Sequence, residues 1–392
     1  FSDLLPAMGR QGIGSADLIT RPGEAPESVI RIFNDAGARG TTGMSQDALA
    51  PEELLVEGMS AVLIAPIDPA RSRFNIGVRT AASGAMLTVT QRDRSGAVLH
   101  GITRSYAPNY FEQLTAAAFL GRDTAADDSI SIRVDAGSVV VYGATTDNLT
   151  QDPSLQLARP VDSVAGERRV LPVVGSTPGA LGSFFKTAVQ LHNATQQAIE
   201  GRLVFHPAGI RGGDHDPALP YHLAPGETIS YDDLLPAMGL SGLGSVDLVS
   251  TTGPLPLSVT RIYNDAGDAG TTGMTEEQVP LASALRGGDR GVLLAPANPD
   301  GARFNIGIRT LDEGVTITFV VRNSIGREVG RTTRELAPAF FTQLPASTLL
   351  GLPPRENDSV TVIVESGAAI VYGTYTDNIT QDPTLKVVRR GP

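Results

Sequence analysis

The sequence has no cysteine and no tryptophan, and aromatic residues make up only 5% of the chain. Without cysteine there can be no disulfide bonds, no thiolate metal sites and no cysteine nucleophile. No apolar run approaches the roughly 18 residues that a membrane-spanning segment needs. Positive charge is also scarce, because 31 lysine and arginine residues face 42 acidic residues. The net charge of -11 argues against nucleic acid and anionic membranes as main partners.

The sequence does have many glycines and prolines and a long internal repeat. Its 43 glycines and 27 prolines suit a turn-rich β protein. Residues 31–44 recur as residues 261–274 with three changes in fourteen positions. At the same offset of 230 residues, the whole of 1–162 recurs as 231–392. A fixed period of this kind constrains the architecture more strongly than any local feature.

Each copy carries strand patterns at regular spacing. Phe74, Ile76 and Val78 lie on one face of a strictly alternating segment, which residues 303–310 repeat. Strands separated by roughly 8–12 residues, with turn signals between them, are typical of sandwiches or barrels. We therefore predict an all-β fold of tandem antiparallel β-sandwiches with short helical turns. Residues 61–155 and 291–385 should then share one fold.

Shorter elements are predicted from local signals. Residues 1–9 indicate one or two helical turns closed by glycine, and residues 108–120 are compatible with a short helix. Residues 15–20 and 28–33 are expected to form two further strands.

A weaker repeat inside each 230-residue module indicates two similar sandwiches of roughly 110 residues, here named A and B. Residues 185–191 match the pattern of residues 304–310, and Leu-Ala-Pro occurs in both halves. The predicted organisation is an incomplete A sandwich over 1–55, a B sandwich over 56–160, a linker over 161–183, a complete A sandwich over 184–285 and a B sandwich over 286–392.

The first A sandwich is expected to lack half of its strands. Residues 1–44 correspond to 231–274, and the printed sequence has no counterpart of 184–230 ahead of residue 1. A sandwich without those strands exposes an unpaired strand edge and an apolar face. We expect further sequence, or strands of a neighbouring subunit, to complete it by β-augmentation.

Three repeated segments carry a family resemblance. They are residues 263–273, with Asn-Asp and Gly-Thr-Thr-Gly, residues 304–307, with Phe-Asn-Ile-Gly, and residues 376–383, with Thr-Asp-Asn and Asp-Pro. In these segments the chain resembles the tandem immunoglobulin-like or fibronectin-type-III-like β-sandwich repeats of large secreted bacterial surface proteins. The resemblance implies a sandwich fold and an extracellular or cell-surface setting, and it assigns no activity.

Two acidic motifs are candidate calcium sites. Asn264, Asp265 and Asp268 offer oxygen ligands, but the sister copy has Ala38 where Asp268 stands, which favours a shape requirement of the loop. Asp377, Asn378 and Asp382 lie in a motif that both copies keep whole. For this motif we favour an Asx-type turn that fixes the crossing between sandwiches, because no third carboxylate is evident nearby.

The remaining candidates are equally weak as catalytic or metal sites. Four of the five histidines fall within residues 192–222, where residues 213–216 read Gly-Asp-His-Asp. They lack the spacing of known zinc motifs and lie in a glycine- and proline-rich loop. Acidic pairs such as Asp127-Asp128 and Asp232-Asp233 show no catalytic pattern.

The sequence thus predicts no catalytic, cofactor or metal site. We expect a non-enzymatic extracellular or cell-surface repeat protein that acts as a stalk, spacer or filament subunit. Its expected partners are other copies of itself or neighbouring repeats, without nucleic acid or membrane insertion. The alternative is a carbohydrate-binding or adhesive module of a secreted enzyme, with a surface glycan as partner.

Overall fold

The computed structural model describes residues 3–19, 28–161, 168–213 and 215–391. Over these ranges the chain is all-β, as predicted, with antiparallel sheets and short helices. None of the helices described is long and apolar enough to cross a membrane. The α-helices are α1 (Leu4–Ala7), α2 (Ala116–Leu120), α3 (Leu234–Ala237) and α4 (Ala346–Leu350).

The strands fall into four groups along the chain. The N-terminal group is β1 (Ile30–Asp35) and β2 (Thr41–Gln46). The first B group is β3 (Leu55–Val56), β4 (Ser60–Ile64), β5 (Ser72–Arg92), β6 (Val98–Tyr106), β7 (Phe111–Thr115), β8 (Ser129–Asp147) and β9 (Pro153–Leu157). The A group is β10 (Arg169–Pro178), β11 (Phe184–His192), β12 (Ile199–Pro207), β13 (Ala218–Leu223), β14 (Thr228–Tyr231), β15 (Gly242–Thr252), β16 (Leu257–Asp265), β17 (Thr271–Glu276) and β18 (Val279–Pro280). The second B group is β19 (Leu285–Arg286), β20 (Arg290–Leu294), β21 (Ala302–Arg322), β22 (Glu328–Leu336), β23 (Phe341–Pro345), β24 (Ser359–Asp377) and β25 (Pro383–Val387).

The two B groups have the same strand order. The first runs β3-β8-β5-β6, with β4 and β9 also on β8 and β7 on β5. The second runs β19-β24-β21-β22, with β20 and β25 on β24 and β23 on β21. The register also agrees, because Ile76 lies opposite Gly143 and Ile306 lies opposite Gly373. This agreement is the one expected for residues 61–155 and 291–385.

Long bent strands shape each B sandwich. The register of β21 against β24 shifts between Thr310 and Val315, which divides β21 into two halves. Ile306 from the first half and Ile317 from the second half are both buried in one core. The strand alternation predicted from the sequence therefore places apolar side chains inside the sandwich on both sides of the bend.

The A group follows the same pairing scheme with separate strands. One layer has the strand order β10-β15-β12-β13. The other layer has the strand order β17-β16-β11-β14. In the immunoglobulin fold the second strand of the chain lies between the first and the fifth. Here β10 pairs with β15, the sixth strand of the group, so the order is not that of an immunoglobulin domain. Strand spacing predicted a sandwich but cannot define which strands pair.

Part of the expected linker over 161–183 is a strand. Residues 169–178 form β10, which pairs with β15 and β11. Val170, Leu171 and Val174 of this strand are buried. Proline and glycine suggested a linker here, but Pro172 lies where the pairing of β10 with β15 is irregular, between Leu171 and Val174. Proline is tolerated at such a position because its missing amide interrupts no regular ladder.

The two expected N-terminal strands have different outcomes. Residues 28–33 overlap β1, which pairs with β2, whereas residues 15–19 form no strand and Thr20 lies outside the described residues. In the A group, the segment equivalent to 15–20 belongs to β15, whose partners are β10 and β12. The strand signal was present, but a strand needs a partner for its backbone hydrogen bonds.

The helix predictions were partly right. The helix expected in residues 1–9 is α1, while only the end of 108–120 is helical, as α2. Residues 111–115 before it form β7, which pairs with β5.

Candidate functional site

The two motifs that the copies share most closely bind each other. We call residues 147–153 and 377–383 the acidic loops, and residues 40–43 and 270–273 the Gly-Thr-Thr-Gly segments. The first acidic loop contacts the segment at 270–273, whereas the second contacts the segment at 40–43. The contacts thus link the first B sandwich to the A sandwich after it, and the second B sandwich back to the start of the chain. We call this region the junction.

Asp147 connects the first acidic loop to the facing segment. Its Oδ1 accepts hydrogen bonds from the amides of Leu149 (2.8 Å) and Thr150 (3.0 Å), which gives the Asx-type turn that the motif predicts. Its Oδ2 accepts from the amide (3.1 Å) and the hydroxyl (2.8 Å) of Thr271. In return, the Thr150 hydroxyl donates to the Thr271 carbonyl at 2.6 Å.

Asp377 makes the same contacts in the second acidic loop. Its Oδ1 accepts from the amides of Ile379 (2.8 Å) and Thr380 (2.9 Å). Its Oδ2 accepts from the Thr41 hydroxyl (3.1 Å) and, at 3.4 Å, from the Thr41 amide. The Thr380 hydroxyl donates to the Thr41 carbonyl at 2.7 Å. The repeat therefore reproduces the interface as well as the sandwich.

A second carboxylate completes each contact. Asp152 Oδ2 accepts from the amide of Gly273 at 2.6 Å, and Asp382 Oδ2 accepts from the amide of Gly43 at 2.7 Å. Both carboxylates are buried, and among the described residues their Oδ1 atoms have no hydrogen-bond partner. Burying a charge in this way requires a nearby counter-charge.

An arginine supplies that counter-charge in each copy. Arg261 lies 3.1 Å from Asp152 and donates to the Thr271 hydroxyl, while its guanidinium lies 5.1 Å from the centre of the Tyr263 ring. Arg31 makes the corresponding contacts to Asp382 (3.2 Å), Thr41 and Phe33. Each arginine is thereby held by a carboxylate, a hydroxyl and a ring face.

The two contacts also touch each other. The Thr42 hydroxyl lies 3.4 Å from the carbonyl of Thr150, and the Thr272 hydroxyl donates to the carbonyl of Thr380 at 3.1 Å. Each Gly-Thr-Thr-Gly segment therefore reaches both acidic loops. Strands β2, β9, β17 and β25 meet at this point, so that four parts of the chain form one polar contact.

The carboxylates of the junction differ in the direction of their pKa shifts. Burial opposes ionisation of Asp147 and Asp377, but amide and hydroxyl donors hold the pKa of both below its usual range. Burial raises the pKa of Asp152 to about 7, although Arg261 acts in the opposite direction. Burial and the nearby charge of Asp152 raise the pKa of Asp382 as well. The ionisation of each inner aspartate therefore affects the pKa of the other.

Glycine is required where the acidic loops approach most closely. Gly40 and Gly270 have φ of 86° and 101°, which disfavours residues with a side chain. A Cβ atom at these positions would lie 2.8 Å from Thr380 Cγ2 and 2.7 Å from Thr150 Cγ2. The shape requirement inferred from the sequence is therefore a requirement for docking between sandwiches.

Ion pairs surround a cleft next to the junction. Arg159 lies 3.1 Å from Glu277, and its equivalent, Arg389, lies 3.3 Å from Asp47. Both arginines also approach Glu53, at 3.1 and 3.7 Å. The cleft measures about 780 Å³ and is lined by these residues together with apolar ones. Since these charges are paired with each other, they give no indication of a charged ligand.

A further polar contact joins A to B within each module. Arg309 lies 3.2 Å from Asp247, and the equivalent Arg79 lies 3.0 Å from Asp17. Burial opposes ionisation of Asp247, but the hydrogen bond from His206 and the charge of Arg309 hold its pKa below the usual range. Asp247 and Arg309 are both buried, whereas Asp17 is exposed.

Three of the histidines within residues 192–222 take part in separate contacts. His206 lies between Asp216 (2.7 Å) and Asp247 (3.1 Å), His192 contacts Thr228 and His222 contacts Glu200. Asp214, part of the candidate ligand cluster, lies outside the described residues. His206 thus takes part in the buried contact between A and B.

One acidic pair considered in the sequence has a clear role. Asp127 accepts hydrogen bonds from Gln190 and Ser230, both at 2.8 Å, which adds a second contact between the first B sandwich and the A sandwich. Asp128 instead accepts from Gln91 and Ala125 within its own sandwich. Of the other pair, Asp233 accepts from Ser176 at 2.7 Å.

Most of the candidate calcium ligands accept hydrogen bonds from donors of the protein itself. Asn264 Oδ1 accepts from the amide of Phe184, and Asp265 pairs with Lys186 at 2.7 Å. Asn378 Oδ1 accepts from Arg303, whereas Asp268 is exposed. In the described ranges, no group of three or more histidine and acidic residues could hold a metal ion.

Sequence reasoning identified both motifs but missed that they bind each other. One sequence signal could have indicated this contact. The Asp and Thr residues of the acidic loops, and the glycines and threonines of the Gly-Thr-Thr-Gly segments, are identical in the two copies. Residues that must fit together cannot change independently, so two unchanged motifs are candidates for mutual contact. No protein-family model, no curated protein and no solved structure matches this chain.

Proposed function

We propose that this protein is a non-enzymatic structural repeat protein, in which paired motifs lock neighbouring sandwiches into a stiff unit. The observation that supports this most directly is the junction. Its aspartates, threonines and glycines are all used in contacts between sandwiches, in two equivalent sets. Domains of one chain are expected to move relative to each other unless such contacts restrain them.

A stiff unit of this kind suits a spacer or an assembly subunit. The contacts of the junction connect sandwiches that are distant in the sequence. They therefore favour a compact, cross-linked unit over a linear row of domains. An extracellular or cell-surface location is part of this proposal, and its support is the acidic charge and the repeat pattern of the sequence. A glycan-binding role has less support, because the exposed aromatic residues Phe33, Tyr110 and Phe184 of the described ranges lie in β1, in the loop before β7 and in β11.

Small-angle X-ray scattering tests the locking role. The wild-type chain should scatter as one rigid particle, and Asp152→Ala with Asp382→Ala should make it larger and flexible. Asp128→Ala with Asp358→Ala is the matched control, because these buried aspartates have the same 230-residue spacing but bond within their own sandwich. A wild-type chain that already scatters as flexible domains would show that the junction does not lock them.

A further inference from the structure

We call Asp152 and Asp382 the inner aspartates, because they are the two junction carboxylates that lie fully inside the protein. Each side chain is 0% exposed. Each uses Oδ2 to accept hydrogen bonds from a glycine amide and an arginine, while among the described residues its Oδ1 atom has no hydrogen-bond partner and is not accessible to bulk solvent. An ionised carboxylate is stabilised by donors on both oxygens, so this environment favours the neutral acid.

The inner aspartates lie close enough for the charge of one to act on the other. Asp382 accepts from an amide of β2 and Asp152 from an amide of β17, and these two strands are in contact. Thr42 of β2 also lies 3.4 Å from the carbonyl of Thr150, which is in the same acidic loop as Asp152. Burial raises the pKa of the Asp382 carboxyl, and the charge of Asp152 raises it further. Two ionised carboxylates at this site therefore repel each other.

One arginine faces each inner aspartate, and it is only partly shielded from solvent. Arg261 lies 3.1 Å from Asp152 and Arg31 lies 3.2 Å from Asp382, with 23% and 31% of the arginine side chains exposed. Both arginines donate to Oδ2, so they leave the Oδ1 atoms without a donor. Burial consequently outweighs Arg261 and raises the pKa of Asp152 to about 7.

The other ionisable groups at the junction have partners of their own. Each of them forms a hydrogen bond or an ion pair with a group other than the inner aspartates. They are Asp147 and Asp377 of the acidic loops, Asp35 and Asp265 at the ends of β1 and β16, Glu276 of β17, Lys386 of β25, and Arg71, Arg73 and Arg303 beside the acidic loops. Strands β2 and β9 carry no ionisable side chain. Burial also raises the pKa of Glu276, so an experiment must separate its titration from that of the inner aspartates.

We propose that the junction is a pH-sensitive lock, which is closed while the inner aspartates hold a proton between them and loosens when both are ionised. A proton on the Oδ1 atom of one aspartate gives the pair a donor where the protein supplies none, and it leaves a single negative charge beside the two arginines. Removal of that proton places a second charge in a buried site, where its desolvation and the repulsion between the carboxylates oppose docking of the acidic loops. This inference rests on the proposed locking role, because it states the condition under which the lock is closed.

The sign of the pH effect follows from the shifted pKa values. An aspartate of the unfolded chain ionises at about pH 4, whereas folded Asp152 has a pKa of about 7. The stabilisation from the inner aspartates is therefore complete below about pH 4 and is lost as the pH rises through about 7. Burial opposes ionisation of Asp147 and Asp377, but amide and hydroxyl donors hold their pKa below the usual range, so their contribution is lost only as the pH falls through that lowered pKa. The lock should hold best in mildly acidic solution.

Small-angle X-ray scattering of the intact chain at about pH 5 and about pH 8.5 tests the lock. The wild-type chain should have a larger radius of gyration at the higher pH, by about a tenth, because docked sandwiches separate. Asp152→Asn should abolish this increase, because the asparagine amide is neutral at both pH values and supplies a donor to Asp382. Asp128→Asn is the matched control, because Asp128 is buried but bonds within its own sandwich, so this variant should expand like wild type. Glu276 is present in all three proteins, so its titration cancels in the comparison.

Carbon-13 NMR of the aspartate carboxyl carbons in the wild-type chain gives a second readout, which does not depend on the folding of a variant. The Asp152 signal should titrate at about pH 7, whereas the Asp147 signal should titrate below the usual range of aspartate.

Three results would overturn the proposal. They are a wild-type radius of gyration that does not increase with pH, an equal increase in Asp152→Asn and wild type, and titration of both inner aspartates at about pH 4. A wild-type chain that is rigid at both pH values would leave the locking role intact and refute the pH dependence alone. A chain that is flexible at both pH values would refute the locking role as well.

Discussion

At the scale of single residues, the repeat preserves the contacts that join sandwiches. Gly40 and Gly270 combine a positive φ with a close approach to a threonine of the facing loop. Asp152 and Asp382 bind a backbone amide and an arginine while they are almost completely buried. Sequence inspection could assign these residues to turns, because turn chemistry is local. It could not assign their partners, which lie between 109 and 351 residues away.

Two glycine-to-alanine substitutions distinguish the free-energy cost of backbone strain from the cost of a steric clash with the acidic loop. Gly270→Ala places a methyl group 2.7 Å from Thr150 Cγ2 at a positive φ, whereas Gly267 has a positive φ with no atom within 4 Å. We expect Gly267→Ala to lower the free energy of unfolding by about 1 kcal/mol. Gly270→Ala should lower it by about 1–3 kcal/mol more, because the loop must also move.

Urea denaturation of both variants measures the difference directly. Equal loss of stability in Gly267→Ala and Gly270→Ala would mean that the acidic loop does not pack against this segment in solution.

At the scale of elements, alternation predicted the strands well where partners exist in the chain. The segment around Phe74 and its repeat were assigned correctly, because a half-buried strand shows a period of two. Residues 15–20 were also predicted to be a strand and form none over 15–19, because strand formation depends on hydrogen-bonding partners elsewhere. The error at 169–178 has the opposite cause, since proline and glycine can lie in a strand at an irregular pairing.

Limited proteolysis tests the difference between the two A copies. Residues 12–19 are exposed and lack regular structure, while the equivalent residues 242–249 lie in β15 between two strands. A low concentration of thermolysin should therefore cut first near Leu18 and leave the bonds around Leu248 intact, because cleavage requires an accessible, extended chain. Mass spectrometry of the early fragments identifies the sites. Cleavage near Leu248 as early as near Leu18 would contradict this difference between the copies.

At the scale of the whole molecule, the repeat period predicted which parts are alike but not how they meet. A linear reading of the repeat gives a row of sandwiches joined by linkers. The structure instead brings β2, β9, β17 and β25 to one junction, where the second B sandwich contacts both Gly-Thr-Thr-Gly segments. Pairing between distant motifs is a property of three-dimensional complementarity, and a single sequence does not encode it as a local pattern.

Amide hydrogen exchange at Gly43 and Gly273, followed by NMR, tests the crosswise junction most directly. The Gly43 amide donates to Asp382, 339 residues away, and the Gly273 amide donates to Asp152. We predict that Asp382→Ala accelerates exchange at Gly43 alone, and that Asp152→Ala accelerates it at Gly273 alone. The amide of Ile306, in the core of the second B sandwich, should stay slow in both variants and show that the sandwich remains folded. Unchanged exchange at Gly43 in Asp382→Ala, with Ile306 still slow, would contradict the crosswise contact.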